Sequence, residues 1–457
     1  MSDRTEQKTE KGFTMSTLPS PMSTPASSRP PSPMTRPSHL PNNALSGLQG
    51  ISSLTEDTKI DSTPTVKLRR GSSVGSRSGS APGSRRGSSA NLPKMEALSL
   101  SGAATPAPQR EPGSFDKVAC VGSGSWATAL ARIAAMNTAE KEGFDKEVRM
   151  WVREKEVEGG GKLTEQMNKE HTNARYLPGV SLPENLVAVP ELADVVKDAT
   201  LIIFCVPHQF LPPVLAELSK PGVLHPKARA ISAIKGIEVH GPDIFTYPWL
   251  IEEKLGLPCS ALGGANIALE VANSQFCETT IGTPAQQDAA AWHAVFDTPM
   301  FRVHAIEDVS GVSLSGALKN IVAMAAGFVD GLGMGGNTKA AILRIGLLEM
   351  SSFTLEFFPD ASPSTFSHHS AGVADLITTS FGGRNRKCAE AFVKSGKTFP
   401  ELEEELLDGQ KLQGTITSEE IYQFLEARGR LDGYPLFEKV YKISFQGLEP
   451  ESLFEGL

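Results

Sequence analysis

From Lys117 onward the chain alternates short apolar runs with amphipathic stretches, a pattern of β-strands joined by helices. The run VACV passes through glycines into ATALARIAAM. VRMWV (148–152), LVAV (186–189), a helical ELADVVKDA (191–199), LIIFCV (201–206) and ARAISAI (228–234) follow. Strands that are apolar throughout, with helices between them, predict a parallel sheet covered on both faces. After about residue 307 the strand signals fade and long apolar helical runs take over. The expected fold is an α/β part over residues 115–307, then an all-α part over 308–457.

No such pattern exists before residue 115. Residues 1–114 are dominated by Ser, Pro, Gly, Thr and Ala, with Phe13 the single aromatic. A segment this poor in apolar side chains cannot offset the entropy of ordering its backbone, so a disordered low-complexity tail is expected. Charge divides the chain in the same place: the first 110 residues hold 14 Lys and Arg against 7 Asp and Glu, although the whole chain carries −8. Arg-Arg-Gly-Ser-Ser occurs twice, at 69–73 and 85–89, and resembles the substrate of a basic-directed kinase acting on Ser72 and Ser88. Phosphate there would cancel local positive charge, which phosphopeptide mapping would test. The stretch Met15–Leu54 is acid-free like a transit peptide, but its prolines oppose a targeting helix, so a cytoplasmic location is expected.

The five cysteines are odd in number, widely spaced and never in C-x-x-C, which favours reduced thiols. The nine histidines lack metal-ligand spacing, and the adjacent His368 and His369 cannot share a helical face, so no metal is expected. Neither a nucleic-acid partner nor a membrane span is expected.

Gly122, Gly124 and Ala127 form G-x-G-x-x-A between a strand and a helix. The first glycine permits the tight turn, the second admits a pyrophosphate, and the small third residue lets the helix pack closely. In this context Gly122, Ser123, Gly124, Ser125, Trp126 and Ala127 are candidate cofactor contacts on a Rossmann-like, dinucleotide-binding domain. The acidic residue expected after the second strand is Glu154, 30 residues beyond Gly124. Its neighbour Arg153 is of the type that accommodates the extra phosphate of NADP, which leaves the choice between the two dinucleotides open.

Two charges stand out further on. Lys319 is the sole cation in the apolar stretch Val309–Val329. A membrane span is a poor reading, because a central lysine costs roughly 2.5–3.5 kcal/mol on insertion. A dry lysine facing an active site has its pKa moved down, toward the range where it donates and recovers a proton. Asp375 interrupts AGVADLI and needs a cation to be stable there. Thr379 and GGRNRK then supply a hydroxyl, backbone N–H groups and cations, the ingredients of a phosphate site. Lys235 follows an apolar strand at the edge where doubly wound sheets bind ligands, although a surface turn explains it equally well.

The segments GSGSWATALA, MWV, ARYLPGV, VPHQF, AIKG, GANIALEV, FCETTIG, GALKNIVA, GLGMGGNTKAA, GVADLITTSFGGRNRK and GQKLQG, in this order, resemble NAD-dependent glycerol-3-phosphate dehydrogenase of the eukaryotic cytosolic type. The likeness runs from about Lys117 to the C-terminus. It implies reversible reduction of dihydroxyacetone phosphate to glycerol 3-phosphate with NADH, by a homodimer. By this resemblance Lys319 is the general acid and base, Asp375 its counter-charge, and Lys235 a catalytic group that also holds substrate. Asn266, Asn320, Thr379, Arg384 and Asn385 are implied in substrate binding; local backbone capping is the alternative for the two asparagines Asn266 and Asn320. Phe210, Ala268, Arg384, Lys411 and Gln413 are implied at the cofactor, whereas Arg386 and Lys387 are read as solvated. Ser125 and Ala127 stand where many relatives have Asn and Gly, and Arg153 where they have a hydrophobic residue. Two other functions fit parts of the pattern: a reductase of β-hydroxyacids or ketoacids, and a catalytically silent dinucleotide-binding scaffold.

Overall fold

The computed structural model describes residues 115–157 and 160–457; the expected tail, with Ser72 and Ser88, lies outside the described residues. Eight strands make the main sheet: β1 (Asp116–Val121), β2 (Phe144–Trp151), β3 (Leu186–Val189), β4 (Leu201–Phe204), β5 (Arg229–Ser232), β6 (Cys259–Gly263), β7 (Cys277–Gly282) and β8 (Phe301–Ile306). Their spatial order is β8-β7-β6-β5-β4-β1-β2-β3. The first six strands run parallel in the order 3-2-1-4-5-6, that of a dinucleotide-binding sheet whose direction of winding reverses at β1. The expectation of a parallel sheet needs one correction: β7 is antiparallel to β6, and β8 pairs parallel with β7.

Alternate residues of β1 enter different cores. Val118 and Cys120 pack with helix α1 (Ser125–Glu140), while Ala119 and Val121 pack with Leu192, Val195 and Leu211 on the other face. The helix expected over 191–199 is shorter, Leu192–Val196, because Asp198 adopts a left-handed conformation with φ +62° that no α-helix continues through.

Helix α2 (Val309–Gly331) is the axis of the helical part, surrounded by α3 (Gly336–Phe357), α4 (Asp375–Gly382), α5 (Arg384–Ser395), α6 (Gln413–Ala427) and α7 (Pro435–Phe445). By length and composition α2 could cross a membrane, yet its apolar window is wholly buried inside the protein. Asp308 caps it, accepting from the Gly311 N–H at 2.7 Å. At Gly327 a Cβ would come within 2.4 Å of the Arg386 carbonyl oxygen, so glycine is what lets α5 lie directly on α2. A hairpin that the sequence pattern did not reveal, Ile237–His240 with Asp243–Thr246, extends from the sheet region and buries Ile237 in the helical core.

Candidate active site

The site begins with one carboxylate. Asp375, 2% exposed, accepts from the Lys319 ammonium at Oδ1 (2.5 Å) and from the Lys235 ammonium at Oδ2 (2.9 Å). Lys319 also donates to the Thr379 hydroxyl at 2.5 Å. Three separate segments meet here: α2 supplies Lys319, α4 supplies Asp375 and Thr379, and the loop after β5 supplies Lys235. Burial pushes the Lys319 amine down to about 7; Asp375 acts the other way and Lys235 adds to the depression. Burial alone would raise the Asp375 carboxyl, but the Lys235 and Lys319 charges outweigh it and hold the group below its ordinary value.

A single turn of π-helix, Ser370–Ala374, feeds directly into Asp375. The Ser370 hydroxyl donates to the Glu278 carbonyl at 2.9 Å and accepts from the Ala265 N–H at 3.3 Å, and the Ala371 N–H donates to Thr280 Oγ1. The turn is thus fastened to β7, and this fixes where α4 starts. Sequence reasoning did not find Ser370 or Thr280, since nothing local in the sequence marks a wide turn. Beside Lys319, Asn320 Oδ1 accepts from Asn385 Nδ2 at 2.8 Å, and Asn385 Oδ1 accepts from the Gly414 N–H at 2.9 Å.

At the turn from β1 into α1, where the winding reverses, Gly122 has φ +131° and a Cβ there would lie 2.2 Å from the Cys205 carbonyl oxygen. Gly124 is different: a Cβ would meet nothing within 4 Å, so the protein itself has no steric need of glycine. Gly124 precedes helix α1, which has no side-chain cap and no acidic residue in its first turn, leaving N–H groups available to an anion. Gly122, Ser123 and Gly124 open into a cavity of about 600 Å³ also lined by Trp151, Arg153 and Phe210. Ala127 is buried against the sheet, Trp126 packs into the core beside Phe301, and the exposed Ser125 donates its hydroxyl to the Tyr176 carbonyl.

The remaining candidates are placed as follows. Asn266 Nδ2 donates to the Glu278 carbonyl at 3.0 Å, while its buried Oδ1 has no partner among the described residues. Ala268 opens a short helix, Ala268–Ala272, against the core of α1. Arg384 is exposed at the start of α5 and donates to Gln410 Oε1 at 2.9 Å. Lys411 pairs with Glu403 at 2.8 Å, and Gln413 opens α6. None of these three is hydrogen-bonded to the Lys319 cluster. Arg386 corrects the sequence reading: it is bound to Asp330 (2.5 Å) and Glu390 (2.8 Å) rather than solvated, whereas Lys387 is exposed. Glu154, the acidic residue expected after the second strand, is exposed and accepts from the Thr164 hydroxyl at 2.6 Å. Among the described residues all five cysteines are free, and no group of His, Cys, Asp and Glu is arranged to hold a metal.

A sheet of this winding with a glycine loop at its switch point, and a buried lysine held by a carboxylate beyond its strands, defines a dinucleotide-dependent oxidoreductase. Models of the NAD-dependent glycerol-3-phosphate dehydrogenase N-terminus and C-terminus match residues 117–289 and 308–455. The chain is 49% identical over 348 residues to glycerol-3-phosphate dehydrogenase [NAD(+)] 1 of Schizosaccharomyces pombe, spanning 74% of this chain and 89% of that one. It is 48% identical over 331 residues to the human enzyme named cytoplasmic, spanning 72% and 94%. The solved glycerol-3-phosphate dehydrogenase of Saccharomyces cerevisiae superposes with a TM-score of 0.71 at 45% identity, covering 74% of this chain and 98% of that one. The chain belongs to the NAD-dependent glycerol-3-phosphate dehydrogenases. Membership agrees with the resemblance read from the motifs, and it decides against both the ketoacid reductase and the silent scaffold.

Proposed function

We propose that this enzyme, which reversibly reduces dihydroxyacetone phosphate to glycerol 3-phosphate with NADH, uses Lys319 as its proton donor and acceptor. The observation that carries the assignment is the Lys319 ammonium, 5% exposed and gripped by Asp375 and Thr379. Bound NADH supplies the hydride for the ketone carbon, and NAD takes it back in oxidation. As the new C–H bond forms, the carbonyl π pair moves onto oxygen, and that oxygen takes a proton from Lys319 Nζ. The depressed amine releases the proton readily near neutrality and regains it in the reverse direction. Asp375 orients both lysines, and Lys235 adds positive charge where alkoxide develops.

In this reading residues 115–307 carry the dinucleotide and residues 308–457 most of the catalytic groups. The cofactor fits the chain's own geometry: Gly124 leaves its space open and helix α1 begins there without a side-chain cap. Asn266, with its buried unpartnered Oδ1, and Asn320 orient the substrate oxygens. Thr379, Arg384 and Asn385 take the phosphate, Arg384 by exchanging Gln410 for the anion. Phe210, Ala268, Lys411 and Gln413 complete the cofactor contacts. The protein works as a cytoplasmic homodimer, by likeness to its family, and a monomer in sedimentation equilibrium would exclude the dimer.

Lys319→Met keeps the volume and removes the proton. The expected kcat loss in both directions is roughly 10²–10⁴-fold with the fold intact. A Lys319→Met enzyme turning over at the parental rate would remove the assignment.

A further inference from the structure

The dinucleotide cavity is lined beyond β2 by two cations, Arg153 and Lys155. The Arg153 guanidinium lies 5.9 Å from the centroid of the Phe210 ring, in cation–π range, so it is held at the cavity wall. In sheets of this type the residues just after the second strand face the adenosine ribose. A carboxylate there binds the ribose hydroxyls of NAD and repels the 2′-phosphate of NADP; an arginine receives that phosphate.

The carboxylate that should discriminate is already engaged. Helix Leu163–Glu170 begins at Lys162, whose side chain caps nothing. Its first N–H groups therefore need an outside acceptor. Glu154 provides one: the Thr164 hydroxyl donates to Oε2 at 2.6 Å, and the N–H groups of Thr164 and Lys155 both donate to Oε1 at 3.3 Å. These bonds draw the carboxylate toward the start of that helix, and Glu154 is not among the described residues that line the cavity. Among the described residues, Glu217 is the one carboxylate that lines this cavity.

We propose that this enzyme accepts NADPH as well as NADH, with Arg153 as the principal partner of the 2′-phosphate and Lys155 as its second cation. The inference rests on the reading of this cavity as the dinucleotide site. Hydride chemistry is the same for both reductants, so only binding at the ribose distinguishes them.

The test is a titration of the purified full-length protein by ligand fluorescence, with NADH, NADPH, 5′-AMP and adenosine 2′,5′-bisphosphate. Expected is saturation by NADPH with a Kd within about tenfold of that for NADH. The bisphosphate should compete better than 5′-AMP, which places the effect at the ribose. Arg153→Ala, an exposed position whose loss leaves thermal unfolding unchanged, should raise the ratio of the NADPH to the NADH Kd roughly tenfold or more, the range of a lost charge-assisted contact. Lys155→Ala should raise it less. Saturation by NADH with no binding of NADPH, or a ratio unmoved by Arg153→Ala, would overturn the inference while leaving the cavity assignment intact. Failure of both dinucleotides to bind would overturn the cavity assignment itself, and the inference with it.

Discussion

Lys319 and Asp375 face each other out of reach of water, and the balance around the amine decides at which pH the enzyme works. Reduction needs the protonated amine and oxidation the neutral one. With Lys319 brought down to about 7, the reductive rate should fall as pH rises through neutrality while the oxidative rate climbs. The neighbours push in opposite directions, so two variants separate this from any general damage. Asp375→Asn removes the charge that raises the amine and should move the reductive limb to lower pH. Lys235→Met removes the charge that lowers it and should move the limb to higher pH. Parallel shifts in kcat profiles of the two variants would contradict the coupling. Both members of the pair were legible in the sequence, because a single charge in an apolar run must find a partner. Lys235 was legible only through the family resemblance, since a lysine after a strand looks the same whether it points at solvent or at a buried carboxylate. The Gly414–Asn385–Asn320 relay was invisible as a relay, because it joins residues from three helices.

Among elements, the strand–loop–helix unit of β1 and α1 shows two glycines needed for different reasons. Gly122 answers to the protein: its φ of +131° and the Cys205 carbonyl at 2.2 Å leave no place for a methyl group. Gly124 answers to what binds, since the space at its Cβ position is empty. Gly122→Ala should therefore destabilise the fold by about 2–4 kcal/mol, measured by denaturant unfolding without ligand. Gly124→Ala should cost less than about 1 kcal/mol in the same measurement yet weaken NADH at least tenfold. Equal stability losses in the two variants would show that both glycines serve only the turn. This unit was readable because its spacing carries the mechanism. Less was readable where an element depends on a distant partner. The α2 apolar run marked a helix but not its cap network: Asp308 also accepts from the Ser362 N–H and the Thr365 hydroxyl, more than fifty residues away. The capping contact of Glu154 was hidden for the same reason, since it depends on Lys162 failing to provide a cap.

At the scale of the whole molecule, the sheet and the helices are coupled through the residues that carry the chemistry. Lys235 is followed by Gly236 and then by the 237–246 hairpin, whose Ile237 sits among Leu314, Leu318 and Phe437 of the helical core. The Tyr247 hydroxyl donates to the Ile237 carbonyl at 2.8 Å, and Arg428, next after α6, donates to the Pro242 carbonyl. On the other side only two residues separate the end of β8 from the start of α2, and Val312 of α2 packs with Ala261 of β6 and Ala371 of the π turn. The change from strand to helix signals near residue 307 is real in the element order, but the pattern of apolar residues cannot show a hairpin crossing between cores, because its alternation is identical whichever core receives it. The consequence is mechanical. Neither part can loosen without exposing Ile237 and pulling Lys235 off Asp375, so the described residues should melt as one unit. Differential scanning calorimetry of the ligand-free protein is expected to give one transition whose calorimetric and van't Hoff enthalpies agree per cooperative unit. NADH should shift that single transition upward without splitting it, because ligand bound to the sheet also stabilises helices that cannot unfold separately. Two resolved transitions, with only the first or only the second responding to NADH, would mean that the hairpin and α2 do not bind the two cores into one cooperative structure.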